Sequence, residues 1–145
     1  MREVRVLLAD DYDPWRRCVS TLFLRQPQWK IVGEVSAGLE AVQKAQELKP
    51  DLILLDLSLP KLNGLEAANR IRHTVPATKI MFMTAYRDSD AMRTVLQNQA
   101  EGYVVKWEIT RELLPAVEAV LEGRRFLSSQ LIHIVGTNKP NDNPR

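Results

Sequence analysis

Three aspartates that follow two apolar runs are the residues of this 145-residue chain best suited to chemistry. Asp10 and Asp11 follow the run Val4–Ala9, and Asp56 follows the run Leu52–Leu55. Leucine-rich and β-branched runs of this length are typical of buried parallel strands, and ligands bind at the carboxyl ends of such strands. Two unit charges about 4 Å apart repel by about 4 kcal/mol at an effective dielectric constant of about 20. The three carboxylates therefore predict a site for a hard divalent cation such as Mg²⁺.

Two further side chains with useful chemistry also follow strand-like runs. Thr84 follows the run Lys79–Met83, and Lys106 follows the run Gly102–Val105. If the strands are parallel, all these ends lie at the same edge of one sheet. A carboxylate nucleophile, a divalent cation, an ammonium group and a hydroxyl group together suit transfer of a phosphoryl group onto a carboxylate. The lysine would offer a second positive charge to a phosphoryl oxygen.

The elements that must position these residues alternate five times between strand-like and helix-like segments, which favours a parallel sheet with helices on both faces. Asp13 and Pro14 predict an N-cap and a first helical residue, and Gly123 predicts the end of the last helix. The predicted strands are 3–10, 30–35, 51–56, 78–84 and 102–106. The predicted helices are 13–25, 38–48, 64–73, 88–98 and 110–122. We therefore predict an α/β fold with a doubly wound, five-stranded parallel sheet and five helices.

The composition is that of one ordinary globular domain. The net charge is only +2, so nothing directs the chain to nucleic acid or to a membrane surface. The single cysteine, Cys18, excludes an intramolecular disulfide and fits a reducing compartment. Neither a signal peptide nor an apolar span of about 18 residues is visible, so we expect a cytoplasmic location.

Several short blocks, in order along the chain, resemble the receiver domain of two-component response regulators. The matching blocks are Leu8–Asp11, Pro50–Asp56, Leu59–Pro60, Asn63–Gly64, Met83–Ala85 and Gly102–Lys106. The resemblance covers about residues 3–124 and implies a flavodoxin-like strand order, 2-1-3-4-5. Gly123–Ser128 is most similar to receivers that precede a helix-turn-helix effector of the LuxR/NarL type. Trp107 departs from the family, because proline, with a cis bond, often follows the lysine there.

The resemblance also implies a role for each residue at the strand ends. Asp56 would accept the phosphoryl group, and Thr84 and Lys106 would contact it. Tyr103 would be the switch aromatic, which in the family turns inward when the threonine moves. The implied Mg²⁺ ligands are Asp10, Asp11, Asp56 and the backbone carbonyl of Ser58.

These residues favour a signalling switch that takes its phosphoryl group from a sensor histidine kinase and controls an output, with transcription favoured. Phosphorylation would change the surface around the fourth helix, fifth strand and fifth helix, where a homodimer is one candidate outcome. We expect no direct binding of nucleic acid or membrane by this chain, and no enzyme activity beyond its own phosphorylation and slow dephosphorylation. The alternative is a receiver-like adaptor module that binds partners without phosphorylation.

The chain divides into three parts on this interpretation. Residues 1–124 would form the receiver domain, and residues 125–137 a C-terminal extension or linker. Residues 126–127 and 131–135 are apolar enough for a short strand or a helical turn. The asparagine- and proline-rich residues 138–145 predict a disordered tail.

Overall fold

We describe the fold from a computed structural model, which describes residues 2–85 and 89–132, leaving out the side chain of Ser89. The strands are β1 (Val4–Ala9), β2 (Trp29–Val35), β3 (Leu52–Asp56), β4 (Lys79–Thr84), β5 (Gly102–Val105) and β6 (Phe126–Leu127). The helices are α1 (Asp13–Phe23), α2 (Gly38–Leu48), α3 (Gly64–Thr74), α4 (Ser89–Leu96) and α5 (Ile109–Leu121). A short 3₁₀ helix, Lys106–Glu108, leads into α5. The predicted tail at 138–145 lies outside the described residues.

The strands form one parallel sheet in the order β2-β1-β3-β4-β5-β6. The expected flavodoxin-like order of the first five strands is confirmed. The predicted count of five strands and five helices is wrong, because among the described residues β6 extends the sheet beyond β5 and the 3₁₀ helix adds a helical segment before α5. A strand of two residues shows no periodicity of its own, so the sequence pattern left its place open.

Two apolar clusters, one on each face of the sheet, hold the layers together. Residues of α2, α3 and α4 pack with Ile53, Phe82 and Tyr103 on one face. Residues of α1 and α5 pack with Leu54 and Met83 on the other face. The side chains of alternate residues in β3 and β4 therefore point to opposite faces of the sheet, and β3 is buried along its whole length. This double burial fixes the strand ends that carry the polar residues.

The first residues of two helices, α3 and α1, are held by different contacts. Asn63 is the N-cap of α3, where its side chain accepts a hydrogen bond from the Glu66 amide at 3.0 Å. The prediction that Asp13 caps α1 is wrong. Tyr12 is the N-cap, and the Asp13 carboxylate pairs instead with Arg16 one turn further on.

Among the described residues, no helix is long and apolar enough to cross a membrane.

The Asp51 carboxylate joins the start of β3 to β1. It accepts hydrogen bonds from the Arg5 amide at 2.8 Å and from the Arg2 guanidinium at 3.1 Å. Burial alone would raise the pKa of Asp51, but these hydrogen bonds and the two arginine charges outweigh it and hold the pKa below 3.8. The ionised form is therefore favoured by folding.

Replacing Asp51 with alanine is expected to lower the free energy of unfolding by about 1–2 kcal/mol at pH 7, because the Arg5 amide loses its partner. The folded pKa lies below the unfolded pKa, so this stability is present above about pH 3.8 and is lost as the pH falls through the folded pKa. Urea unfolding at several pH values measures it. Glu47→Ala, which breaks an exposed ion pair with Lys44, is the control. Equal losses at pH 7 and at pH 3 would contradict the expectation.

Candidate functional site

The register of the sheet brings the polar strand ends together. Ala9 pairs with Leu55, so Asp10 and Asp56, the next residues, lie side by side. Asp56 pairs with Met83, and Thr84 follows directly. Thr84 in turn pairs with Val105, which places Lys106 one residue beyond. Four adjacent parallel strands thus deliver their last side chains to one edge, as the sequence predicted.

The three aspartates form a compact cluster of oxygen ligands. One carboxylate oxygen from each of Asp10, Asp11 and Asp56 lies within 4.8 Å of the others. Asp10 is fully buried and Asp56 is 4% exposed, whereas Asp11 is exposed to solvent. An all-oxygen set with one side open to water fits a hard divalent cation that keeps several water ligands. The donors present therefore suit Mg²⁺ chemically.

Lys106 carries the compensating positive charge of the cluster. Its Nζ atom lies 2.6 Å from Asp10 Oδ2 and 3.6 Å from Asp56 Oδ1. The same ammonium lies 5.3 Å from the centroid of the Trp15 ring, within the range of a cation–π contact. Lys106 therefore binds Asp10 more closely than Asp56. Sequence reasoning did not identify Trp15, because nothing in the chain signals that residues 15 and 106 meet.

The pKa of the Asp56 carboxyl lies above its ordinary value. Burial is the largest cause, and the charges of Asp10 and Asp11 add to it. The Lys106 ammonium opposes the rise, as does the Ser58 amide, which donates to Asp56 Oδ1 at 3.3 Å. A carboxylate acts as a nucleophile only when it is ionised, so further positive charge at the cluster would lower the pKa of Asp56 and favour its reactive form.

The loop after β3 folds closely over the end of the strand. The Gly64 amide donates to the Leu57 carbonyl at 3.0 Å, and the Leu57 amide donates to the Met83 carbonyl at 3.2 Å. A Cβ atom at Gly64 would lie 2.4 Å from the backbone carbonyl oxygen of Asp56, which leaves no room for a side chain. The Asn63–Gly64 turn therefore fixes the position of Asp56 as well as the start of α3.

Thr84 lies beside the acidic cluster, whereas Tyr103 lies apart from it. Thr84 is 2% exposed at the end of β4, beside the cluster. The Tyr103 ring is buried on the α4 side of the sheet, 5.7 Å from the Phe82 ring. Its hydroxyl donates to the Asn98 carbonyl and accepts from the Ala100 amide at 3.0 Å. Tyr103 is thus not part of the cluster and contacts the segment that follows α4.

The described residues contain no cis peptide bond, so the Lys106–Trp107 bond is trans. The chain turns directly into the 3₁₀ helix at Lys106, and α5 follows without a gap. Trp107 packs against the apolar cluster on the α2–α4 face of the sheet. Although Trp107 departs from the family pattern, the preceding Lys106 still contacts both Asp10 and Asp56.

The sequence model of the family described as the response regulator receiver domain matches residues 6–118. The chain therefore belongs to the receiver domains of response regulators. It is 32% identical over 128 residues to the response regulator GacA of Pseudomonas viridiflava, covering 88% of this chain and 60% of that protein. It is 34% identical over 129 residues to the oxygen regulatory protein NreC of Staphylococcus aureus, covering 88% of this chain and 59% of that protein.

Solved structures place the chain among receivers of the LuxR/NarL type. A two-component response regulator of the LuxR family from Aurantimonas sp. SI85-9A1 is 32% identical, with a TM-score of 0.85 over 92% of this chain and 96% of that one. The receiver domain of the putative regulator NarL from Mycobacterium tuberculosis is 27% identical, with a TM-score of 0.79 over 86% and 100% of the two chains. The present chain spans about three fifths of the length of the curated relatives it matches.

Proposed function

We propose that this chain is a Mg²⁺-dependent phospho-acceptor switch in which Asp56 receives the phosphoryl group. The observation that carries the proposal is the position of Asp56, which is nearly buried between two further carboxylates and the Lys106 ammonium. A carboxylate in this setting is shielded from bulk water, lies beside the positive Lys106 ammonium, and shares with Asp10 and Asp11 a set of oxygen ligands for a cation that would neutralise an incoming phosphoryl group. Membership of the receiver family supports the same chemistry.

In the proposed reaction, an Asp56 carboxylate oxygen attacks the phosphorus of a phosphohistidine on a sensor kinase. The new P–O bond forms as the P–N bond breaks, and the leaving imidazole takes up a proton from water. The ligands proposed for Mg²⁺ are Asp10, Asp11, Asp56 and the backbone carbonyl of Ser58. The cation would neutralise charge on the transferring oxygens. Lys106, already 3.6 Å from Asp56, would turn from Asp10 toward the phosphoryl group.

The phosphoryl group would then bias the protein between two conformations. Thr84, at the next strand end, would donate its hydroxyl to a phosphoryl oxygen. Tyr103 would respond to the movement of Thr84. Its ring lies on the α4 side of the sheet, where its hydroxyl already contacts the residues after α4. The output would be control of transcription through an effector outside residues 1–145. Dimerisation would be a second route of output, and the location would be the cytoplasm.

Residues 1–124 would form the receiver domain, and residues 125–137 its C-terminal extension.

Incubation with acetyl phosphate tests the proposal, because this small molecule replaces the kinase as phosphoryl donor. We expect the intact mass of the chain to increase by one phosphoryl group when Mg²⁺ is present, and no increase when EDTA replaces it. The cation dependence follows from the repulsion between the three carboxylates and an anionic donor. Equal labelling with and without Mg²⁺ would count against the proposed role of the acidic cluster.

A further inference from the structure

The segment after α5 folds back on the sheet and covers the edge of β5. Phe126 and Leu127 pair in parallel with Gly102 and Tyr103. The Phe126 amide donates to the Glu101 carbonyl at 3.1 Å, and the Ser128 amide donates to the Tyr103 carbonyl at 2.9 Å. A two-residue strand contributes few hydrogen bonds, so other contacts must hold this segment in place.

Ser128 supplies the strongest of these contacts. It is fully buried, and its hydroxyl accepts a hydrogen bond from the Val105 amide at 2.9 Å. The same hydroxyl donates to the Glu112 carboxylate on the first turn of α5, at 2.5 Å. A hydrogen bond to a charged acceptor is about twice as strong as one between neutral groups. Ser128 thus pins the segment to α5 and to Val105, the residue before Lys106.

The segment also contacts the side chain of Tyr103 directly. The Arg125 guanidinium lies 5.1 Å from the centroid of the Tyr103 ring. Leu131 is 2% exposed and belongs to the same apolar cluster as Tyr103, and Leu127 packs against that cluster. If the Tyr103 ring left its buried position, it would lose these contacts, and the segment would lose part of its support.

We propose that Ser128 and Glu112 are positioning residues of the switch, which hold residues 125–132 against the buried Tyr103. Docking of this segment and phosphorylation of Asp56 then stabilise each other, since both favour Tyr103 in its inward position. The inference rests on the proposed function and adds to it the element that transmits the signal. Residues 125–132 would be docked for a larger fraction of the time when Asp56 is phosphorylated than when it is not.

Reciprocal coupling makes the proposal measurable: if a bound phosphoryl mimic favours docking of the segment by some factor, docking must favour binding of the mimic by the same factor. The probe is beryllofluoride with Mg²⁺, which mimics the phosphoryl group without a kinase. Fluorine NMR of the whole 145-residue chain gives the fraction of Asp56 that is occupied. Hydrogen–deuterium exchange of amides 126–132 and of Val105 gives the docking of the segment. The wild type is expected to show slower exchange there when beryllofluoride is bound.

Ser128→Ala is expected to speed exchange of these amides and to raise the beryllofluoride concentration needed for half-saturation about fivefold or more. Ser129→Ala is the matched control, since Ser129 is exposed and its contacts to Glu112 are long, at 3.4 and 3.5 Å. Glu112→Gln provides a second, milder disruption should Ser128→Ala fail to fold. It is expected to shift half-saturation in the same direction.

Two results would overturn the inference and leave the proposed function standing. One is unchanged exchange at 126–132 in both variants. The other is faster exchange with wild-type half-saturation, which would make the segment a structural element without influence on the switch. Failure of the wild type to bind beryllofluoride at all would instead overturn the proposed function, and the inference with it.

Discussion

Asp56→Asn is expected to abolish phosphoryl transfer from acetyl phosphate, reducing the labelled fraction to that of a sample without donor. The amide of asparagine keeps the shape of the side chain but is not a nucleophile toward phosphorus. The neighbouring carboxylates do not replace it, because Asp10 is fully buried and held by Lys106, while Asp11 is exposed. Intact-mass spectrometry over a time course in Mg²⁺ measures the loss.

Asp13→Asn is the control for a general loss of negative charge near the site. Asp13 lies two residues after Asp11, is not one of the three clustered carboxylates, and pairs with Arg16. Its substitution should leave labelling unchanged. The Asp56→Asn protein should remain folded, and in EDTA at neutral pH at least as stable as the wild type. Burial raises the pKa of Asp56, so its ionisation opposes folding. Labelling of a folded Asp56→Asn protein at the wild-type rate would refute the assignment of the acceptor.

Lys106→Met is expected to lower the free energy of unfolding strongly. Asp10 is fully buried, and its carboxylate lies 2.6 Å from the Lys106 ammonium, which is itself only 15% exposed. Removing one partner of a buried ion pair leaves an uncompensated charge, at a typical cost of about 3–5 kcal/mol. We expect about 3 kcal/mol less free energy of unfolding in EDTA, because Arg16 and the Tyr12 amide still contact the Asp10 residue.

Mg²⁺ should return part of this stability, because a cation at the cluster supplies the positive charge that Lys106 no longer provides. Urea unfolding in EDTA and in Mg²⁺ measures both effects. Lys44→Met is the matched control, since Lys44 forms an exposed ion pair with Glu47 and its loss should cost less than about 1 kcal/mol. A Lys106→Met protein as stable as Lys44→Met in EDTA would show that the ammonium does not compensate Asp10.

The positions of the strand ends could be predicted from the sequence because both faces of the sheet are buried. Burial on both sides makes β3 a continuous apolar run, Leu52–Leu55, that stops at Asp56. The same logic located Asp10, Thr84 and Lys106, and parallel pairing then placed their side chains at one edge. These residues of the site can thus be identified locally, because each one directly follows an apolar run.

The pairing of side chains within the site could not be predicted in this way. Lys106 and Asp10 are 96 residues apart, and which carboxylate the ammonium approaches depends on rotamers and burial. Asp13 was expected to cap α1, but Arg16 competes for its carboxylate one turn along the helix. Strand β6 is held by Ser128, whose partners Glu112 and Val105 lie 16 and 23 residues away. Contacts of this range leave no periodic signal in a single sequence.

The most direct test of the central claim is to map the phosphoryl group after reaction of the wild-type chain with acetyl phosphate and Mg²⁺. Fragmentation mass spectrometry of the peptide that contains residues 50–61 would identify the modified residue, with an EDTA sample beside it. The proposed function predicts one phosphoryl group, on Asp56, formed only when Mg²⁺ is present. A phosphoryl group on any other residue, or one formed equally in EDTA, would contradict the claim.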